Sequence, residues 1–188
     1  IQVMNLTTSA QIFHALRRQI RRRIRKPLVI MTPKSLLRLK AATSTFDDLS
    51  QGGFQKVICE DDGPDPAETK RILICSGKVY YDLCEARKEH GMDHVSIVRM
   101  EQLYPLPDIE LQEALKDYAD ETPLYWVQEE PENMGTWPSL LHRLGSRPFG
   151  RFDLKRVCRP ESASPATGSA ASHKYEQDLL CRQALGIE

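Results

Sequence analysis

Apolar residues in this chain fall into two patterns: short β-branched runs, and longer stretches with helical spacing. Leu28-Val29-Ile30-Met31 is an uninterrupted apolar run, the mark of a strand covered on both faces. Ile72-Leu73-Ile74, Val95-Ser96-Ile97-Val98, Leu124-Tyr125-Trp126-Val127 and the stretch 154–157 also predict strands, and 1–6 and 54–59 add two more. Between them, Ile12, Phe13, Leu16, Ile20 and Ile24 recur at helical spacing. They predict a helix with its apolar face inward and its arginines outward, entered through a capping box (Thr8 and Gln11) and ended by Pro27. Further helices are expected after Gly77 to about His90, with Gly91 as the stop, over Leu111, Leu115 and Tyr118, over 137–144 and over about 172–184. Thr32-Pro33-Lys34-Ser35 turns into a short helix with Pro33 in its first turn. Residues 39–53 read as a surface excursion with a short turn at 46–49, 60–70 as a loop, and 162–169 as irregular.

Strands alternating with helices predict an α/β fold, a mostly parallel open sheet with helices on both faces. Neither a repeat nor an internal boundary interrupts 1–188, so a single domain is expected: a sheet core over about 1–160, an irregular 161–171 and a closing helix over about 172–184.

Composition supports a soluble globular domain: 188 residues, 40% hydrophobic and 28% charged. No apolar run approaches a membrane span and no signal peptide opens the chain, while Ile1 at the start suggests a fragment or a processed product. Five cysteines (59, 75, 84, 158 and 181) lack metal-type spacing and favour a reducing, cytosolic compartment. Cys75, in an apparent core strand, reads as a small buried hydrophobe. The net charge of zero conceals an uneven distribution. Arg17, Arg18, Arg21, Arg22, Arg23, Arg25 and Lys26 crowd the first 26 residues with no acid among them, leaving the rest acidic.

Candidate chemistry is sparse. Cys75-Ser76-Gly77-Lys78-Val79 is a strand, a tight turn and a helix start, where an α/β sheet binds ligands and a helix N-terminus offers N–H groups to anions. It is not a phosphate-binding Walker loop, because the upstream glycine is missing and Lys78 precedes Val79. Gly77 either makes the turn or admits an anion. Glu129 and Glu130 end a strand at the same edge, suited to capping or an interface, or to acid–base work. His14, His90, His94, His142 and His173 are isolated and read as surface histidines. No HExxH or CxxC pattern marks a metal site, and no nucleophile–base set can be assembled, so no catalytic residue is assigned. The basic helix without interleaved aromatics is a weak nucleic-acid signal; it is either a solvated face or a guanidinium site for phosphates.

Five segments then carry a resemblance: Pro27 through Arg38 (PLVIMTPKSLLR), Cys75 through Leu83 (CSGKVYYDL), Arg99 through Pro107 (RMEQLYPLP), Gln128 through Trp137 (QEEPENMGTW), and Arg159-Pro160 through Ser164-Pro165-Ala166-Thr167-Gly168. In that order, and with Arg17-Arg18-Gln19, they resemble the C-terminal portion of the first, decarboxylating component of 2-oxoglutarate dehydrogenase. The resemblance spans essentially the whole chain. It implies a transketolase-type C-terminal domain of a homodimeric enzyme that works with a dihydrolipoyl succinyltransferase, in the cytoplasm or, in a eukaryote, the mitochondrial matrix. The implied reaction is oxidative decarboxylation of 2-oxoglutarate on thiamine diphosphate with magnesium, both bound outside this fragment, with succinyl transfer to a lipoyl group in the tricarboxylic acid cycle. The fragment alone is expected to be inactive. Some members respond to acetyl-CoA through basic residues matching 17–26, which implies Arg18 and Arg25, with Arg17 next, as effector contacts. Ser76, Lys78, Glu129 and Glu130 remain strand-end or interface candidates. No nucleic-acid or membrane partner is expected. The competing reading is a free-standing α/β module that binds nucleotides or an acidic partner. A small hydrolase built on Ser76 is the weakest, since no histidine is placed to activate it.

Overall fold

A computed structural model describes residues 1–187. Its larger sheet has the order β3-β5-β4-β7-β8, formed by β3 (Val57–Cys59), β4 (Arg71–Cys75), β5 (Val95–Met100), β7 (Leu124–Pro131) and β8 (Leu154–Arg159). Only β3 runs antiparallel; the register Leu73↔Ile97 and Ile74↔Trp126 holds the central three strands parallel. Side-chain alternation sends Ile72 and Ile74 to one face and Leu73 and Cys75 to the other. The first face is covered by α4 (Asp108–Ala114) and α5 (Trp137–Leu144), through Leu111, Trp137 and Leu140. The second is covered by α3 (Val79–Glu89) and α6 (Ala170–Leu185), through Leu83, Leu180 and Ala184. Helices on both faces of a mostly parallel sheet is the architecture expected from the alternation, and Cys75 is fully buried as a core residue.

A second, three-stranded sheet was not foreseen. Its order is β2-β1-β6, from β1 (Gln2–Asn5), β2 (Leu28–Met31) and β6 (Gln102–Tyr104). β1 and β2 are parallel and joined through α1 (Ser9–Arg21), while β6 pairs antiparallel with β1. Glu101 alone separates β5 from β6, so one run of chain serves both sheets. Its buried carboxylate accepts from the Thr7 N–H (2.9 Å) and the Thr7 hydroxyl (2.6 Å). Burial lifts the Glu101 carboxyl above its ordinary value against the pull of those bonds.

Five expectations change here. β2 is an edge strand with Val29 and Met31 open, not a strand covered on both faces. α1 ends at Arg21, six residues before Pro27. Its inward face is Gln11, His14 and Ala15, whereas Phe13, Leu16 and Ile20 point outward. The reason lies in the loop across from it, which offers backbone partners. Gln11 exchanges two hydrogen bonds with the Gln55 backbone (2.5 and 3.1 Å), so it does not complete the capping box; Thr8 caps α1 alone. His14 Nε2 donates to the Asp48 carbonyl at 2.8 Å. His14 is therefore a core histidine, not a surface one.

The short helix expected after Pro33 is a 3₁₀ turn (Lys34–Arg38), and the excursion over 39–53 holds a second 3₁₀ turn (Lys40–Ala42) and α2 (Phe46–Ser50). Thr45 and Asp48 close a reciprocal capping box on α2. The loop over 60–70 is anchored by Glu60, whose carboxylate takes both Arg87 Nη atoms (2.6 and 2.9 Å) and the Ile97 N–H (3.2 Å).

Candidate functional site

The junction of β4 and α3 is built around a close approach. Gly77 has φ +71°, and a Cβ there would lie 2.4 Å from the Asn5 amide atoms. Glycine is required by both backbone and space, so Gly77 is the turn-maker. Asn5 Nδ2 also donates to Ser76 Oγ at 3.4 Å, tying the small sheet to this turn. Lys78 sits at the start of α3, and its ammonium pairs with Glu129 and, at 3.6 Å, with Asp82. Burial draws the Lys78 ammonium down, but the bond and charge of Glu129 outweigh it and hold its pKa above the ordinary lysine value. The structure thus joins Lys78 to Glu129 while Ser76 is tied to Asn5, and the Lys78 charge at this helix start is already matched by a carboxylate. Glu130 is half-buried next in sequence to Glu129 and forms no ion pair with another described residue.

Gln128 escaped the sequence reading and organises this edge. Its Oε1 accepts from Trp126 Nε1 (2.8 Å), the Trp137 N–H (2.9 Å) and the Thr136 N–H (3.1 Å). Its Nε2 donates to the carbonyls of Met134 (2.7 Å) and Pro131 (3.1 Å). One buried amide therefore caps α5 and fixes the turn before it. The signal available in the sequence is period two: Trp126 and Gln128 share a strand face, which puts an amide inward beside an indole.

The basic helix divides its arginines. Arg18 is half-buried, and its Nη2 donates to Gln102 Oε1 (2.9 Å) and Gln2 Oε1 (3.2 Å) while its guanidinium lies 4.0 Å over the Phe54 ring. Arg22 Nη1 reaches the same Gln2 oxygen at 2.7 Å. Burial, and then the neighbouring Arg22 charge, push the Arg18 pKa down to about 10. Its partners are amides, a ring and a thioether, with no carboxylate among the described residues. Arg17 instead points toward the Gly52 carbonyl (3.5 Å), and Arg25 folds back on the Ile20 carbonyl (3.1 Å), both exposed contacts. Arg18 is therefore joined by Arg22, not by Arg17 or Arg25. His173, also read as a surface residue, contacts Arg159 Nη2 through Nδ1 at 3.0 Å. Among the described residues no three His, Cys, Asp or Glu side chains are grouped to hold a metal ion, and no helix is long and apolar enough to cross a membrane.

A doubly covered, mostly parallel sheet with a helix-capping strand edge places the molecule among transketolase C-terminal-like α/β domains. Comparison with known proteins narrows this. Residues 43–185 match the family described as 2-oxoglutarate dehydrogenase C-terminal, and the chain belongs to that family. It is 45% identical over 190 residues to the 2-oxoglutarate dehydrogenase E1 component of Azotobacter vinelandii, covering 100% of this chain and 20% of the relative. The E1 component of Haemophilus influenzae is 46% identical over 187 residues, with 100% and 20% covered, and that of Cupriavidus necator is 46% identical over 184 residues, with 98% and 19% covered. The chain spans about a fifth of the length of these relatives.

Proposed function

We propose that this chain is the C-terminal assembly domain of a 2-oxoglutarate dehydrogenase E1 component, and that its Arg18 region receives a phosphorylated effector. The first half rests on identity near 45% along the whole chain to E1 components five times as long. The enzyme so formed decarboxylates 2-oxoglutarate oxidatively and passes the succinyl group to a lipoyl arm of a dihydrolipoyl succinyltransferase, as a homodimer. Thiamine diphosphate and magnesium supply the carbanion chemistry of that reaction. Among the described residues no cluster of His, Cys, Asp and Glu side chains fits such a metal, and on this reading both groups are held by other parts of the enzyme. Here the chain's own residues contribute shape: Gln128, Glu60 and Glu101 fix the edges and joints of the two sheets.

The observation that carries the second half is Arg18, a half-buried cation lowered to about 10 and held only by neutral groups. A dianionic phosphate would supply the missing counter-charge to Arg18 and Arg22 together, with bidentate geometry suited to guanidinium. Arg17 and Arg25, exposed cations of the same stretch that bond only backbone carbonyls, would turn to a nucleotide such as the phosphorylated adenosine of acetyl-CoA when it binds. The test is 2-oxoglutarate decarboxylation by the full-length parent across an acetyl-CoA titration, with Arg18→Ala and Arg25→Ala. The response should vanish in Arg18→Ala and weaken in Arg25→Ala. A parent that ignores acetyl-CoA, or an Arg18→Ala enzyme that responds like the parent, overturns the effector reading and leaves the assembly role standing.

A further inference from the structure

Two buried polar atoms without a hydrogen-bond partner belong to residues that line one cleft of about 420 Å³, walled by α1, the α2 excursion and the end of β3. His14 is 4% exposed, and its Nε2 N–H is spent on the Asp48 carbonyl, so Nδ1 is left as a buried acceptor with no donor. Arg99 is half-buried. Its Nη1 donates to Thr7 Oγ1 at 3.0 Å and its guanidinium lies 4.3 Å over the Tyr80 ring, but its Nε is a buried donor with no acceptor. Buried polar atoms are nearly always paired, so an acceptor and a donor orphaned on one cleft point to a ligand that carries both kinds of group. Charge is arranged the same way. Arg99 forms no ion pair with another described residue, and Glu101, whose charge it feels, has both oxygens bound to Thr7. The Asp47 and Asp61 carboxylates on the cleft also lack an ion pair among the described residues. Asp48, by contrast, is spent on Thr45 and Glu60 on Arg87.

We infer that this cleft binds a free α-amino acid as its zwitterion, with the carboxylate on Arg99 and the ammonium on Asp47, Asp61 and His14 Nδ1. A guanidinium presents paired N–H donors that match the two oxygens of a carboxylate. An ammonium has three donors and no acceptor, which suits two carboxylates and an imidazole lone pair. A simple anion would face Asp47 and Asp61, and a simple cation would face Arg99; a ligand bearing both charges meets each with its opposite. Both orphaned atoms are shielded from solvent, so binding turns the imidazole and the guanidinium toward the cleft. The volume is that of a small-molecule site. The rest of the lining selects the side chain. Thr43, Ser44 and Gln51 offer neutral hydrogen-bonding groups, and Ile58 is the only large apolar residue there among those described, so the amino acid is one with a neutral polar side chain. The site is separate from the contacts of Arg18 with Gln2 and Gln102, so its failure leaves the effector reading untouched.

The experiment uses the full-length parent, with L-glutamine and L-asparagine as probes in saturation-transfer NMR followed by calorimetric titration. Saturation should pass to both amino acids. N-acetyl-glutamine, which lacks the ammonium, and glutamine with an α-carboxamide, which lacks the carboxylate, should each bind at least about tenfold more weakly, the cost of one charge-assisted contact. L-Leucine should fall behind glutamine as well. Two variants locate the site. Asp47→Asn combined with Asp61→Asn changes only exposed side chains, so it should keep the parent's 2-oxoglutarate decarboxylation rate while glutamine affinity drops at least about tenfold. Arg99→Lys should weaken glutamine similarly, and if that variant fails to fold the aspartate pair decides alone. Absence of saturation transfer to either amino acid overturns the inference. So does a blocked glutamine or leucine that binds as well as free glutamine, or an aspartate double variant with parental affinity.

Discussion

Gln128→Leu keeps roughly the volume of a buried side chain and removes its six hydrogen bonds. Trp126 is fully buried and its indole N–H then has no acceptor; the Trp137 N–H, at a residue 6% exposed, fares the same. Each stranded buried donor costs about 1–3 kcal/mol, so two of them set the loss at roughly 2–6 kcal/mol. The carbonyls of Met134 and Pro131 lose a donor as well, and the Thr136 N–H stands nearer to solvent. Urea denaturation reads this directly, because the chain has two tryptophans, Trp126 and Trp137, and both report on the network. Gln128→Glu sharpens the test. It keeps an acceptor for the three donors but turns a carboxylate oxygen toward the Met134 and Pro131 carbonyls. The protonated form is then favoured in the fold, so the variant's folded pKa exceeds the unfolded carboxyl value. Its stability is present in full below about pH 4, near the ordinary Glu value, and is lost as pH rises through the folded value. A Gln128→Leu chain within about 0.5 kcal/mol of the parent, the scale of neutral surface changes, refutes the network; so does a Gln128→Glu chain whose stability is flat from pH 4 to 8.

Gly77→Ala and Gly91→Ala both place a side chain at positive φ, but only Gly77 has the Asn5 amide 2.4 Å from the new Cβ. Gly91→Ala should cost about 1 kcal/mol, and Gly77→Ala distinctly more, as measured by thermal unfolding; equal losses would refute the close-approach account. Glu101 has a folded pKa raised by burial, so its contribution is complete below the ordinary carboxyl range and declines as pH rises through the folded value. The Tm of Glu101→Gln relative to the parent should therefore climb between pH 4 and 7, and a constant difference argues against burial as the cause. Glu60→Ala strands Arg87, a loss of about 3 kcal/mol for a broken buried pair. Hydrogen exchange should show the Ile97 amide and the 60–70 loop opening together; protection unchanged at Ile97 contradicts the anchor.

The larger sheet was legible because its strands are concentrated apolar runs between strong turn residues. Ile72-Leu73-Ile74 before Gly77, and Gly91 after α3, fix one unit almost to the residue. β6 was missed because it is three residues long and owes its conformation to pairing with β1 more than 90 positions away. The inward face of α1 was misread for a related reason: Ile12 packs on the core, but Phe13, Leu16 and Ile20 do not. Helical spacing identifies an apolar stripe but not what lies opposite it. Gln11 and His14 turn inward because Gln55 and Asp48 supply backbone partners, a tertiary arrangement that leaves no periodic trace. At the candidate site, sequence picked out Arg18, Lys78 and Glu129 as charged residues worth attention. It could not pair Lys78 with Glu129 or exchange Arg25 for Arg22 beside Arg18, since those pairings depend on side-chain directions across separate strands and turns.

Glu101, the single residue between β5 and β6, makes the two sheets mechanically one body. A loop of several residues would let them rotate independently; one residue pinned by two Thr7 bonds leaves almost no torsional slack. Gln102, next along, accepts from Arg18, and Arg99, two residues back, donates to Thr7 Oγ1 at 3.0 Å. Any tug on the Arg18 guanidinium is therefore delivered along a taut strand into the edge of the larger sheet, within a few residues of its source.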